Sequence, residues 1–199
     1  MANHLNASRL AKQPPATLGR RTVVASAWAG HLCSQGVAVQ GNGLVGEAVL
    51  DAMLQTFAST EGSLAHRVLA ALEAGDRSGG QAAGVMSAAM LVRTSEGFPF
   101  DIDLRVDAHG APAKELRFLF DLHQARQMMI DAKRIAAAEP GEARERLSTA
   151  LQLGGSWDRV LRIGARVAEA LGDDSLANDL RTRAKAVDPD TLSNPEPKP

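Results

Sequence analysis

Gln40 and Asn42, in the run Val37-Ala38-Val39-Gln40-Gly41-Asn42-Gly43-Leu44, are the first residues of this chain with the makings of a site. A side-chain amide held in a glycine loop can donate to a developing oxyanion, a role Asn fills in several hydrolases. The same residues also make a plain glycine-rich turn, in which Asn42 tolerates a positive φ. A second group follows in Phe100-Asp101-Ile102-Asp103-Leu104-Arg105-Val106-Asp107. Its strict alternation puts the Asp and Arg side chains on one face of a strand. That face could bind a polar substrate or hold an amine, with Asp103, Arg105 and Asp107 as the binding candidates. It could equally be a solvated edge laced by cross-strand ion pairs, each worth about 1 kcal/mol or less.

Other chemistries find less support. His31 and Cys33 lie two apart, as a base and a nucleophile might in a strand, but no third residue stands ready to orient them. Gly41-Asn42-Gly43-Leu44-Val45-Gly46 spells a dinucleotide fingerprint, yet no βαβ unit surrounds it and no acidic residue matches a ribose. No cofactor is therefore expected. His4, His66 and His109 are too dispersed to suggest a metal. A net charge of -1 over 199 residues gives no reason to expect nucleic acid or an anionic membrane as partner. The chain shows neither an apolar run long enough to span a bilayer nor the apolar middle of a secretory signal. Its single cysteine fits a reducing compartment, so a cytoplasmic location is expected.

The elements that must carry these residues can be read in order. Residues 1–20, with Pro14-Pro15 and Gly19, read as a disordered leader. Thr22 to Ala27 and Val37 to Gln40 read as strands joined by a turn over Gly30 to Gly36. A helix from Gly46 to Ser59 carries Val49, Leu50, Met53, Leu54 and Phe57 on one side. The next, Ser63 to Ala74, has Ser63 as its N-cap, Gly75 as its terminator, and the stripe Leu64, Val68, Leu69, Leu72. Gly84 to Arg93 is small or apolar at both parities, which predicts a strand covered on both faces, with Ser87 packed inside. After a loop over Thr94 to Phe98 and the alternating strand comes a helix over Ala113 to Lys133. Its buried side is expected to include Leu116, Leu119, Phe120, His123 and Ile130.

Beyond Glu139-Pro140-Gly141 three further helices are expected: Glu142–Leu153, Trp157–Leu171 and Ser175–Val187. The last is expected to bury Leu176, Leu180, Ala184 and Val187. The final pair loosely resembles a tetratricopeptide-type hairpin, with Ala177, Ala184 and Pro189 near its small-residue and proline positions. Residues 189–199 read as a disordered tail. Neighbouring strand pairs alternating with helix pairs predict an α+β fold with mainly antiparallel sheet. The expected divisions are a leader (1–20), a sheet-bearing domain (21–136), a helical extension (140–188) and the tail.

Several linked motifs resemble a bacterial family of Ntn-hydrolase-like proteins catalogued as domain of unknown function 1028. They are Trp28-Ala29-Gly30-His31 before a strand ending Val39-Gln40-Gly41-Asn42, and Ala-Leu-Glu-Ala-Gly-Asp within residues 70–76. Gly79-Gly80, Ser87-Ala88-Ala89, Asp103-Leu104-Arg105-Val106-Asp107 and the helix opening at Pro112 to His123 follow in the same order. The resemblance covers roughly residues 22–130. It implies a partial αββα-type sandwich and a lineage of amide-bond hydrolases. Such enzymes attack with an N-terminal Thr, Ser or Cys whose own amine serves as base.

Two departures shape the expectation. Residues 1–20 do not resemble the family's opening stretch and strands, and removal of Met1 would expose Ala2, which has no nucleophile. The loop after Gly80 carries Gln81, Ala82 and Ala83 where the family usually has charged groups. The expected protein is thus a truncated Ntn-hydrolase-like domain, inactive alone, with Gln40 and Asn42 as oxyanion or substrate contacts. It would be completed by a second copy or by a separate N-terminal fragment. The alternative is a non-enzymatic interaction module that docks partners through exposed Trp157, Leu161 and Leu180.

Overall fold

The computed structural model describes residues 22–24, 29–34, 37–84, 87–93 and 102–188. The expected leader, the tail and the loop over Thr94 to Phe98 lie outside them. The fold is α+β, with six helices and five strands among the described residues, and all strand pairing between neighbours is antiparallel. Two compact units divide the chain, and the boundary falls between Arg117 and Phe118.

In the first unit, β1 (Thr22–Val24), β2 (Ala29–Ser34) and β3 (Val37–Gly41) form a meander in that order. β2 occupies the segment expected to be a turn. Gly30 favoured the turn reading, but Leu32 decides the matter: it sits opposite Val39, and both are buried with Leu50. A strand puts alternate side chains on opposite faces, so His31 and Cys33 lie on the face away from Leu32. Helix α1 (Ala48–Ser59) packs on β2 and β3, burying Val49 and Leu50, with Met53 and Leu54 partly covered.

Helix α2 (Leu64–Arg77) packs against α1. The Ser63 hydroxyl accepts from the His66 amide at 3.2 Å, the expected N-cap. Gly75 does not end this helix. A Cβ there would come within 2.8 Å of Met53 Cγ, so the glycine permits the close approach of two helices. Of the expected stripe Leu69 is buried and Val68 and Leu72 are partly buried, but Leu64 is half exposed and Ala65 takes the buried position beside it.

β4 (Ala88–Val92) and β5 (Ile102–Val106) form a separate two-stranded ladder. Met90, Val92 and Val106 are buried, but Leu91 is 56% exposed and shares its outer face with Ala89, Asp103 and Arg105. The expectation of a strand covered on both sides is therefore corrected. Alanines cost little when left in water, so an apolar pattern at both parities did not require two covers. Ser87, expected to be packed inside, is exposed.

Helix α3 (Pro112–Ile135) begins in the first unit and continues into the second. At its start, Arg117 Nε and Nη2 donate to Glu73 Oε1 and Oε2 at 2.7 and 2.9 Å, a bidentate bond within the first unit. Leu116 and Phe120 are buried as expected. Ile130 is exposed, and Met129 takes the buried position. Burial holds the imidazole of His123 below its ordinary pKa, and the Arg126 charge adds to the effect.

In the second unit α4 (Pro140–Gly154), α5 (Asp158–Ala170) and α6 (Asp174–Val187) pack in sequence. Their core joins Leu147, Val160, Val167 and a series of alanines with Met129. Leu161 and Leu180 sit in an adjoining cluster with Ala165 and Ala184, fully buried. The apolar face expected to dock a partner is thus turned inward, because α5 and α6 close upon each other. Arg144 Nη2 donates to the Leu171 carbonyl at 3.2 Å across the unit, and Asp173 caps α6 by accepting from the Leu176 amide at 2.9 Å.

Candidate functional site

Two glycine loops of the first unit border a site-like hollow. One follows β3, where Gly43 has φ +62°. The other closes α2: the amides of Ser78, Gly79 and Gly80 donate to the carbonyls of Ala74, Asp76 and Gly75 at 3.0, 3.0 and 3.1 Å. This turn needs φ of +106° at Gly79 and +54° at Gly80, which glycine adopts without strain. The loops are laced together by backbone alone. The Val45 amide donates to Gly80 O at 3.0 Å, the Ala82 amide to Gly43 O at 2.8 Å, and Leu44 bridges Gln81 in antiparallel fashion. Gly79 lies so close to Val45 that a Cβ would stand 2.5 Å from Val45 Cγ2.

This frame borders a cavity of about 690 Å³, within the roughly 300–1,000 Å³ typical of small-molecule sites. Leu44, Val49, Met53 and Leu72 form its apolar wall. The polar lining comprises His31, Gln40, Asn42, Asp76, Gln81 and Ser87. Gln40 stands opposite His31 in the β2–β3 register. Among the described residues no hydrogen bond or ion pair within the protein engages the side chains of Gln40, Asn42, Asp76 or Gln81. Their bonding capacity is open to a ligand.

The sequence-expected residues therefore separate. Gln40 and Asn42 share the cavity. Asp103, Arg105 and Asp107 do not line it: Asp103 and Arg105 lie on the exposed face of β5, and Asp107 just beyond. Arg105 Nε and Nη2 donate to Asp107 Oδ2 and Oδ1 at 2.5 and 3.0 Å. His31 lines the cavity but Cys33 does not. Asp76, Gln81 and Ser87 escaped the sequence reading as site residues. The signal for Asp76 was its place between Gly75 and the Gly79-Gly80 turn, which fixes a carboxylate at a helix end. Among the described residues no group of three His, Cys, Asp or Glu could hold a metal ion, and no helix is long and apolar enough to cross a membrane.

The Arg105–Asp107 pair gives a pH prediction. The hydrogen bond from Arg105 lowers the Asp107 carboxyl from its ordinary pKa; desolvation opposes it, and the guanidinium charge adds a smaller lowering. A carboxyl depressed on folding stabilises above its unfolded pKa and loses that contribution as pH falls through the folded value. In an NMR titration Asp107 should protonate at lower pH than an ordinary aspartate, and Arg105→Ala should return it to the ordinary range. Identical titration in both proteins would refute the pairing.

An α+β domain whose glycine loops frame an amide-lined cavity is the class of protein these features define. The chain belongs to the family of unknown function DUF1028, whose family model matches residues 16–116. It is similar to a protein from Silicibacter pomeroyi of known crystal structure, described under the same family, at 31% identity and a TM-score of 0.37. That match covers 52% of this chain and 42% of the other, so it spans less than half of the Silicibacter protein. No curated protein matches the chain.

Proposed function

We propose that the first unit carries the ligand-holding part of an Ntn-hydrolase-like fold, from a lineage of amide-bond hydrolases, and that by itself it binds amides without cleaving them. One observation carries this reading: the side-chain amides of Gln40, Asn42 and Gln81 line one cavity with no partners of their own among the described residues. An amide presents one donor face and one acceptor, and a side-chain amide answers both. The apolar wall from Leu44 to Leu72 would take the substituent of the ligand. For cleavage, Ser87 is the one hydroxyl among the described lining residues, and no hydrogen bond joins it to His31, so no activated nucleophile is assembled there.

Isothermal titration with isocaproamide, a neutral primary amide with a branched apolar chain, tests the reading. Saturable binding is expected, weakened about tenfold by Asn42→Ala, the loss of roughly one well-placed hydrogen bond. Circular dichroism establishes that the variant is folded, and no ammonia should appear on incubation. Ammonia release that depends on Asn42 would overturn the claim of binding alone. Absence of binding would overturn the reading entirely.

A further inference from the structure

The cavity holds one carboxylate, Asp76, among its lining residues. A neutral amide can donate to that group but brings no charge to balance it. Among the described residues the Asp76 carboxylate has no hydrogen-bond or ion-pair partner, although arginines elsewhere in the chain are paired with carboxylates, as Arg117 is with Glu73 and Arg105 with Asp107. Its position is also unusual for an acid. Asp76 lies in the last turn of α2, at the end of the helix where the peptide dipoles accumulate negative charge. A cation is the complementary charge for an exposed carboxylate at that end of a helix. His31 is the other titratable group on the cavity wall.

Resting on the amide-binding reading above, we propose that the ligand carries a primary ammonium group beside its amide: an amino-acid amide or the amino end of a short peptide. The ammonium meets Asp76 and the negative end of α2. The amide meets Gln40, Asn42 and Gln81, and an apolar side chain lies along Leu44, Val49, Met53 and Leu72. An ammonium supplies three donors, which match a carboxylate and leave one for a neighbouring acceptor. The amide groups and the carboxylate come from different elements, so the ligand would bridge the β3 loop and the end of α2.

Leucinamide and isocaproamide differ only in the amine, which isolates this contribution. Titrations are run on the full chain at a pH where that amine is protonated. Leucinamide is expected to bind about tenfold more tightly than isocaproamide, as a charge-assisted hydrogen bond would provide. Asp76→Asn should abolish that preference, read as the ratio of the two affinities measured in the same variant. Raising the salt concentration should narrow the preference in the natural protein. Equal affinities in the natural protein, or a preference that survives Asp76→Asn, would overturn the ammonium assignment and leave the amide reading standing. If neither compound binds, the amide reading falls and this inference falls with it.

Discussion

Gly79→Val is expected to destabilise the first unit by about 2–5 kcal/mol and to abolish binding in the cavity. Two separate costs add. The residue sits at φ +106°, where a β-branched side chain is strained, and its Cβ would overlap Val45 Cγ2 at 2.5 Å. Neither cost concerns a side chain that touches a ligand. Urea unfolding followed by circular dichroism measures the stability, and isocaproamide titration measures the site. The double variant Gly79→Val with Val45→Ala should recover the steric share and leave the backbone share. Natural stability in the single variant would show that the loops do not approach as described.

The second large effect lies in the second unit. Leu180→Ala should cost about 2–5 kcal/mol, the range for removing a fully buried leucine from a core that cannot collapse around the gap. Leu180 packs with Leu161, Ala165 and Ala184, and its Cδ1 stands 3.3 Å from where a Cβ on Gly164 would sit. Ala165, Ala184 and Gly164 are too small to reach into the gap, and the surrounding leucines are held on packed helices. Val187→Ala on the same helix is the comparison, because Val187 is 49% exposed and its loss should cost only a few tenths of a kcal/mol. Trp157, partly buried against the core of the same unit, reports unfolding by fluorescence in a Trp28→Phe background. Equal effects from the two variants would contradict the buried face assigned to α6.

The same pair shows how far the sequence could be read. Periodicity located α6 and predicted Leu180 as core, but it also counted Val187, because a hydrophobic pattern cannot say where a helix outruns its neighbour. Ile130 fails for a related reason: Met128, Met129 and Ile130 are consecutive and apolar, and only the packing of α4 and α5 selects Met129. In the sheet, Gly30 and Gly36 suggested a long turn, yet the pairing of Leu32 with Val39 makes its described part, up to Ser34, strand β2. Gly75 looked like a helix stop, and its true use is contact with Met53, a tertiary fact that local composition does not contain. At the cavity, Gln40 and Asn42 were legible because glycines surround them. Asp76 was not, since its place beside them depends on the β3 loop, distant in sequence, lining the same cavity. The alternating face of Asp103, Arg105 and Asp107 was read correctly as a face, and the structure sets it apart from the cavity lining.

The lacing of the two glycine loops by main-chain bonds has an evolutionary corollary. Every non-proline residue carries the same amide and carbonyl, so Leu44, Val45, Gln81 and Ala82 can be exchanged without untying the joint. Relatives can therefore diversify what the hollow accepts by changing the decoration while the glycines keep the scaffold constant. Drift in ligand preference should be cheap in this lineage, and drift in the architecture beneath it costly.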